Sequence, residues 1–272
     1  MDAEEILHET VAIARRAGVV LDGWLGRLEG VEFKGEVDLV TAADRASEAY
    51  LVEALGRLLP EAAILAEEGS GRDAASVWRW IVDPLDGTTN FAHGYPVYCV
   101  SIALEDADGM VLGVVHDPTR AETFTARRGA GAARNGEPIR TGRRATVGEA
   151  LLVTGFPYDI RTSPRTNLPQ FAAFARRARG VRRSGSAALD LCYVAAGRCD
   201  GFWEEKLSPW DLAAGALIAG EAGATVTGYH GDPLRLDQGH VVAANPVLHR
   251  AMVNLLATVE GEASLPPLGP RR

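Results

Sequence analysis

The chain has 272 residues with 47% hydrophobic content, enough to bury a sizeable core as one large α/β unit or as two closely packed halves. A net charge of -8 and a pI near 5.3 argue against nonspecific binding to nucleic acid or to an anionic membrane surface, because both require a basic face. No apolar run approaches membrane-spanning length, no basic-plus-apolar leader precedes the acidic Asp2, Glu4 and Glu5, and Cys99, Cys192 and Cys199 lie scattered in apolar sequence, so buried free thiols and a cytoplasmic location are expected.

Residues 3–28 place Ile6, Leu7, Val11, Ile13, Ala14, Ala17 and Val20 at amphipathic spacing and predict a long helix ending near Gly30. A second helix follows, capped by Thr41 or Asp44, with Ala46, Ala49, Tyr50, Val52, Leu55 and Leu58 on its apolar face and Pro60 ending it. Short strands are predicted over 62–66, 77–82, 97–105, 110–116 and 122–126, with Asp108-Gly109 and Asn135-Gly136 as hairpin turns. After about Arg144, strand and helix alternate: strand 151–155, helices 168–178 and 186–196, strand 201–204, helix 210–222, strands 224–227 and 240–244, and a last helix 246–259. The expected division is an N-terminal α+β half over 1–145, a C-terminal α/β half over 146–260, and a proline-containing disordered tail over 261–272.

The most informative segment is Asp83-Pro84-Leu85-Asp86-Gly87-Thr88-Thr89-Asn90-Phe91. Asp83 is expected at the carboxyl end of an apolar strand, and Pro84 keeps it out of the helical region, so the chain turns and brings Asp86 round beside Asp83. Gly87 allows close backbone approach, and the residues from Thr88 can begin a helix whose first N–H groups meet an anion. Carboxylates for a cation thus stand next to donors for a phosphate. Taken one at a time, Asp86 would serve equally as a helix cap and Asp83 as a solvated turn residue.

Further acids fall at similar places. Glu67 and Glu68 follow the apolar 62–66 strand, Asp211 follows Trp210 at a helix start, and Asp44 stands where the second helix begins. Each has a structural use at a helix start or in a loop, but ligands of open α/β sheets gather at strand ends and helix starts. No Cys/His cluster suggests zinc.

Here the chain resembles the inositol monophosphatase family of magnesium-dependent, lithium-sensitive sugar-phosphate phosphatases. The resemblance runs over residues 4–259 and is carried by the 83–91 segment and by Trp210-Asp211-Leu212-Ala213-Ala214-Gly215, with support from residues 38–44, Glu67-Glu68-Gly69-Ser70 and Gly185-Ser186-Ala187-Ala188. It implies a layered αβαβα sandwich, in which a largely antiparallel N-terminal half packs on the C-terminal half, and a homodimer. It also implies two or three Mg²⁺ ions: Glu67, Asp83 and the Leu85 carbonyl as ligands of the first, and Asp83, Asp86 and Asp211 as ligands of the second. These are the hard oxygen donors that Mg²⁺ prefers.

By the same resemblance, the N–H groups of Gly87 and Thr88 receive phosphate oxygens, and Thr88 paired with Asp44 orients and deprotonates the attacking water, with Glu67 contributing to catalysis. Gly185, Ser186, Ala187, Glu204 and Asp211 form the substrate wall, with Glu205 competing for the place of Glu204. Glu68 and Lys34 are candidates for an outer cation or its surroundings, although Lys34 reads equally as a surface lysine. The implied reaction is in-line attack of water on a small phosphate monoester, with no phosphoenzyme. Lysine often follows Asp-Gly-Thr in relatives acting on histidinol phosphate or nucleotide 3′-phosphates, so Thr89 favours myo-inositol monophosphate. A dual inositol-monophosphate and fructose-1,6-bisphosphate phosphatase is the enzymatic alternative, and a regulatory interaction protein retaining the fold is the alternative of another class.

Overall fold

Asp2 opens the first helix with a capping box: its carboxylate accepts from the N–H groups of Glu4 and Glu5, while the Glu5 side chain accepts from Asp2 N–H. The computed structural model describes residues 2–26, 32–33, 39–40 and 42–262. In chain order the elements are α1 (Ala3–Trp24), β1 (Glu32–Phe33), β2 (Leu39–Val40), α2 (Ala42–Leu58), β3 (Ala63–Ala66), β4 (Arg79–Asp86), α3 (Thr88–Ala92), β5 (Cys99–Asp106), β6 (Gly109–Asp117), β7 (Glu122–Arg127), β8 (Gly131–Arg134) and β9 (Glu137–Pro138). They continue with β10 (Leu151–Thr154), α4 (Leu168–Ala175), β11 (Gly180–Arg182), α5 (Ala187–Ala195), β12 (Gly201–Glu204), α6 (Pro209–Glu221), β13 (Thr225–Thr227), β14 (Val241–Ala244) and α7 (Pro246–Glu262).

Among the described residues, β3 to β9 form a seven-stranded sheet in chain order, antiparallel except for the β3–β4 pair. The second main sheet has the order β11-β10-β12-β14-β13, parallel at β11-β10-β12 and antiparallel beyond. Helices α1 and α2 cover one face of the first sheet, α5 and α6 lie between the two sheets, and α4 and α7 cover the far face of the second. The layers are therefore αβαβα, as the family resemblance implies. Three apolar clusters fill the spaces: one under α1 and α2, one around α5 and α6, and one beneath α4 and α7. The middle cluster is rich in alanine (Ala188, Ala213, Ala214 and Ala219), and these small side chains let the buried helices fit closely between the two sheets.

Several sequence expectations shift. Helix α1 ends at Trp24, with Leu25 N–H bonded to the Asp22 carbonyl, rather than running to Leu28. On α2, Leu55 is buried and Tyr50, Val52 and Leu58 pack partly buried against the core as expected, but Ala49 is exposed, and the fully buried stripe is Ala43, Asp44, Ser47, Glu48, Leu51 and Leu55. Asp44 sits inside the first turn, and Thr41 lies outside the described residues. Strand β4 runs on through Pro84 to Asp86 instead of ending at Asp83. Strand β11 did not stand out in the sequence. Helix α7 extends through Gly261 and Glu262, and the remainder of the expected tail lies outside the described residues. Both expected hairpin turns join antiparallel strands, with Asn135 and Gly136 each at positive φ.

Candidate active site

Residues an odd number apart in a regular strand face opposite sides of the sheet, and Asp83 and Asp86 would be expected to do so. A β-bulge changes this. Asp83 pairs with Ser101 and Asp86 with Cys99, so two residues of β4, Pro84 and Leu85, stand against Val100 alone. Ser101 and Cys99 are two apart and share a face, and the extra residue brings both aspartates to that face. Pro84, which has no N–H to donate to the ladder, occupies the bulge. Asp83 Oδ1 accepts from Leu85 N–H at 2.9 Å, which fixes the turn from within.

Asp211 reaches the same point from α6. Its Oδ2 accepts from Ser208 N–H at 2.7 Å, and the Trp210 carbonyl accepts from the Ser101 hydroxyl at 3.3 Å, so the residue paired with Asp83 also anchors the start of α6. Asp86 Oδ2 accepts from the Ser186 hydroxyl at 2.7 Å and from Ala188 N–H at 2.8 Å, which ties it to the amino end of α5. One side-chain oxygen from each of Asp83, Asp86 and Asp211 lies within 4.8 Å of the others. Glu67 lines the same cavity. It follows Ala66, which pairs in parallel with Val82, so Glu67 and Asp83 are the next residues on neighbouring strands.

This concentration of acid disfavours ionisation. Burial, then the charges of Glu67, Asp86 and Asp211, push the Asp83 carboxyl well above its ordinary range. Burial raises Asp86 against the opposing bonds from Ser186 and Ala188. Burial and then the Asp86 charge push Asp211 up to about 8. A cation is the natural counter-charge. The donor set is all oxygen, which suits a hard divalent ion.

Gly87 links this cluster to α3 with φ at +98°, and a Cβ there would lie 2.9 Å from the Val97 carbonyl oxygen. Only glycine meets both demands without strain. The first N–H groups of α3 have no carbonyl partner within the helix. The Thr88 hydroxyl is 3.0 Å from Asp44 Oδ1 and 3.0 Å from the Leu85 carbonyl oxygen. Asn90 Nδ2 donates to the Val97 carbonyl at 2.7 Å and to the Ser184 carbonyl at 2.9 Å, clamping the turn before Gly185 and Ser186 against α3. The buried Asp190 carboxylate accepts from the Ser184 hydroxyl and secures the same turn from below.

The cavity has a volume of about 300 Å³, and Gly87, Thr88, Phe156, Tyr158, Gly185, Ala187, Glu204 and Trp210 are among its lining residues. A larger hollow of about 620 Å³ lies by α6's carboxyl end and β8, but none of the clustered aspartates lines it. Glu204, at the end of β12, stands against the bare face of Gly155, where a Cβ would lie 2.0 Å from Glu204 Oε1. Burial and then the Asp190 charge push its carboxyl well upward. Glu205 also borders the cavity, but its oxygens accept from Asn167 N–H at 2.9 Å and Arg165 Nη2 at 3.3 Å. Glu205 is thus engaged in holding the 165–167 loop.

The sequence-chosen residues Glu67, Asp83, Leu85, Asp86, Gly87, Thr88, Gly185, Ser186, Ala187, Glu204 and Asp211 all line this one cavity. Asp44 touches Thr88 from behind. Glu68 is not among the lining residues, and its N–H donates to Glu48 Oε2 at 2.7 Å. Lys34 lies outside the described residues. Sequence reasoning passed over Ser47, Glu48, Asn90 and Asp190. Ser47 and Glu48 stand three and four residues after Asp44, so helical spacing would have placed them on the same face.

A model of the inositol monophosphatase family matches residues 2–261. The chain is 44% identical over 250 residues to a Synechocystis protein named inositol-1-monophosphatase, covering 91% of this chain and 87% of the relative. It is 43% identical over 271 residues to a Pseudomonas aeruginosa protein named Nus factor SuhB, covering 97% and 98%. The inositol monophosphatase structure from Anabaena superposes with a TM-score of 0.86 at 41% identity, over 97% of this chain and 98% of that one.

Proposed function

The chain belongs to the inositol monophosphatase family, and from that premise we propose that it hydrolyses myo-inositol monophosphate to inositol and phosphate with Mg²⁺ as cofactor. The observation that carries this reading is the meeting of Asp83, Asp86 and Asp211, from a bulged strand and a helix start, beside the amino end of α3. These three, with Glu67 and the Leu85 carbonyl, would hold the cation. When bound, Mg²⁺ supplies a Lewis acid that lowers the pKa of water and neutralises charge building on phosphate and leaving oxygen.

The remaining steps belong to the chain's own groups. The N–H groups of Gly87 and Thr88 orient the phosphate. The Thr88 hydroxyl, donating to Asp44, turns its lone pairs outward and takes a proton from the attacking water as its own proton passes to Asp44 Oδ1. Asp44 is fully buried, which keeps this proton path away from bulk solvent. Glu204, together with the Gly185 to Ala187 turn that lines the same cavity, receives the polyol hydroxyls. The enzyme acts as a homodimer in the cytoplasm and is inhibited by Li⁺. No helix among the described residues is long and apolar enough to cross a membrane.

The test is Mg²⁺-dependent phosphate release from inositol 1-phosphate, fructose 1,6-bisphosphate, histidinol phosphate and adenosine 3′,5′-bisphosphate. The expected order puts inositol 1-phosphate first. Faster turnover of any other member of the panel would overturn the substrate assignment.

A further inference from the structure

Glu48 is 1% exposed and belongs to the same helical stripe as Leu51 and Leu55. A carboxylate there costs desolvation that a leucine would not, unless its oxygens are fully used. Glu48 Oε2 accepts from Glu68 N–H at 2.7 Å, and Oε1 accepts from Ser70 N–H at 2.9 Å and from the Ser70 hydroxyl. All of these donors belong to the loop that follows β3. The base of that loop is closed by mutual backbone bonds between Ile64 and Arg72, at 2.7 and 2.8 Å. Its tip is held by Glu48.

Glu67 stands between two fixed points. On one side Ala66 is locked to Val82 in the sheet, and on the other Glu68 N–H is bonded to Glu48. The same helix holds the opposing segment: Ser47 Oγ donates to the Pro84 carbonyl at 2.9 Å, and Asp44 receives Thr88. One turn of α2 therefore grips both the loop carrying Glu67 and the bulge carrying Asp83 and Asp86. We infer that Glu48 is a positioning residue that sets Glu67 against Asp83, so that α2 fixes the spacing of the metal-binding carboxylates. This rests on the metal reading of the site proposed above.

Glu48→Gln tests it. An amide retains one acceptor and turns its NH₂ toward an N–H donor, so at least one side of the grip opens. Mg²⁺ affinity is read by calorimetry on the substrate-free protein, and amide protection at Glu68 and Ser70 by hydrogen exchange. The expected result is Mg²⁺ affinity about tenfold weaker, the scale seen when groups supporting metal ligands are removed. Protection at Glu68 and Ser70 should fall, and KM for substrate at saturating Mg²⁺ should hold. Ser70→Ala, which deletes only the hydroxyl bond, should weaken Mg²⁺ binding less in the same direction.

A lowered melting temperature with Mg²⁺ affinity intact would make Glu48 merely structural and overturn the inference. If Glu48→Gln does not fold, Ser70→Ala decides: unchanged Mg²⁺ affinity and unchanged exchange overturn it. Asp83→Asn separates the two readings. If that variant still takes up Mg²⁺ normally, the metal site itself is misassigned, and exchange at Glu68 and Ser70 in Glu48→Gln still decides whether Glu48 holds the loop.

Discussion

The Thr88 hydroxyl oxygen lies 3.0 Å from Asp44 Oδ1, in a contact that joins residues 44 positions apart and is buried on both sides. A hydroxyl has one proton to give and two lone pairs to receive with. Committed to Asp44, it becomes an acceptor toward the cavity, the role a water-activating group needs. The Leu85 carbonyl, also 3.0 Å away, is the alternative acceptor for the same hydroxyl hydrogen, but only the Asp44 carboxylate is basic enough to take the proton.

Thr88→Val keeps the shape and removes the hydroxyl. The expected effect is a loss of kcat on the order of 10²- to 10⁴-fold, the usual worth of a positioned acid or base. Mg²⁺ affinity should stay near wild type, and Thr88→Ser should recover much of the rate. Steady-state kinetics at saturating Mg²⁺ check this, and a valine variant with wild-type kcat would remove Thr88 from proton transfer.

The raised carboxyls make the metal-free fold sensitive to alkali. Asp211 is pushed up to about 8 by burial and the Asp86 charge, against about 3.9 for an unfolded aspartate. The folded state therefore binds more protons across that window. The associated stability is present below the unfolded pKa and lost as pH rises through the folded one. On the proposed reading of the site, Mg²⁺ would take the place of those protons. The rise in melting temperature on adding Mg²⁺ should therefore be larger near pH 8 than near pH 5. Thermal unfolding with Mg²⁺ or with chelator at both pH values measures it, and an equal Mg²⁺ increment at the two would contradict the charge-repulsion picture.

Glu204 leans on the bare face of Gly155, so Gly155→Ala displaces the Glu204 carboxylate without touching the aspartates. The carboxylate is the far end of a flexible side chain and can move, so the fold should survive. KM for inositol 1-phosphate should rise, while hydrolysis of a small aryl phosphate should change little. Glu204→Gln should follow the same pattern. Equal losses on both substrates would take Glu204 out of polyol recognition.

Ser186 caps α5 and donates to Asp86 in the same geometry. Ser186→Ala should cost about 1 kcal/mol of stability, the typical worth of a helix cap, and should weaken Mg²⁺ binding as well. Denaturant unfolding and calorimetry report the two effects separately. A stability loss with unchanged Mg²⁺ affinity would confine Ser186 to capping.

The parts of this site that could be read from sequence were those written locally. Asp83 to Phe91 carries its proline, glycine and acids in one run, and Trp210-Asp211 announces a helix start. What could not be read depends on partners far along the chain. The bulge that puts Asp83 and Asp86 on one face exists only because β5 lies alongside with one residue fewer. The polar part of the buried stripe of α2 was missed because a helix is expected to bury its apolar residues, whereas this one, besides Leu51 and Leu55, buries Asp44, Ser47 and Glu48, which hold the 68–70 loop and the 84–88 segment. Glu205 is engaged by Arg165 and Asn167, whose return to β12 no local pattern foretells.

The most direct measurement is Mg²⁺-dependent phosphate release from inositol 1-phosphate by the wild-type protein and by Asp83→Asn, each assayed with Mg²⁺ and with chelator. Wild type should turn over only with Mg²⁺, and Asp83→Asn should be inactive in both conditions while still folded. Full wild-type activity in chelator, or an Asp83→Asn protein as fast as wild type, would contradict a metal-dependent phosphatase built around Asp83.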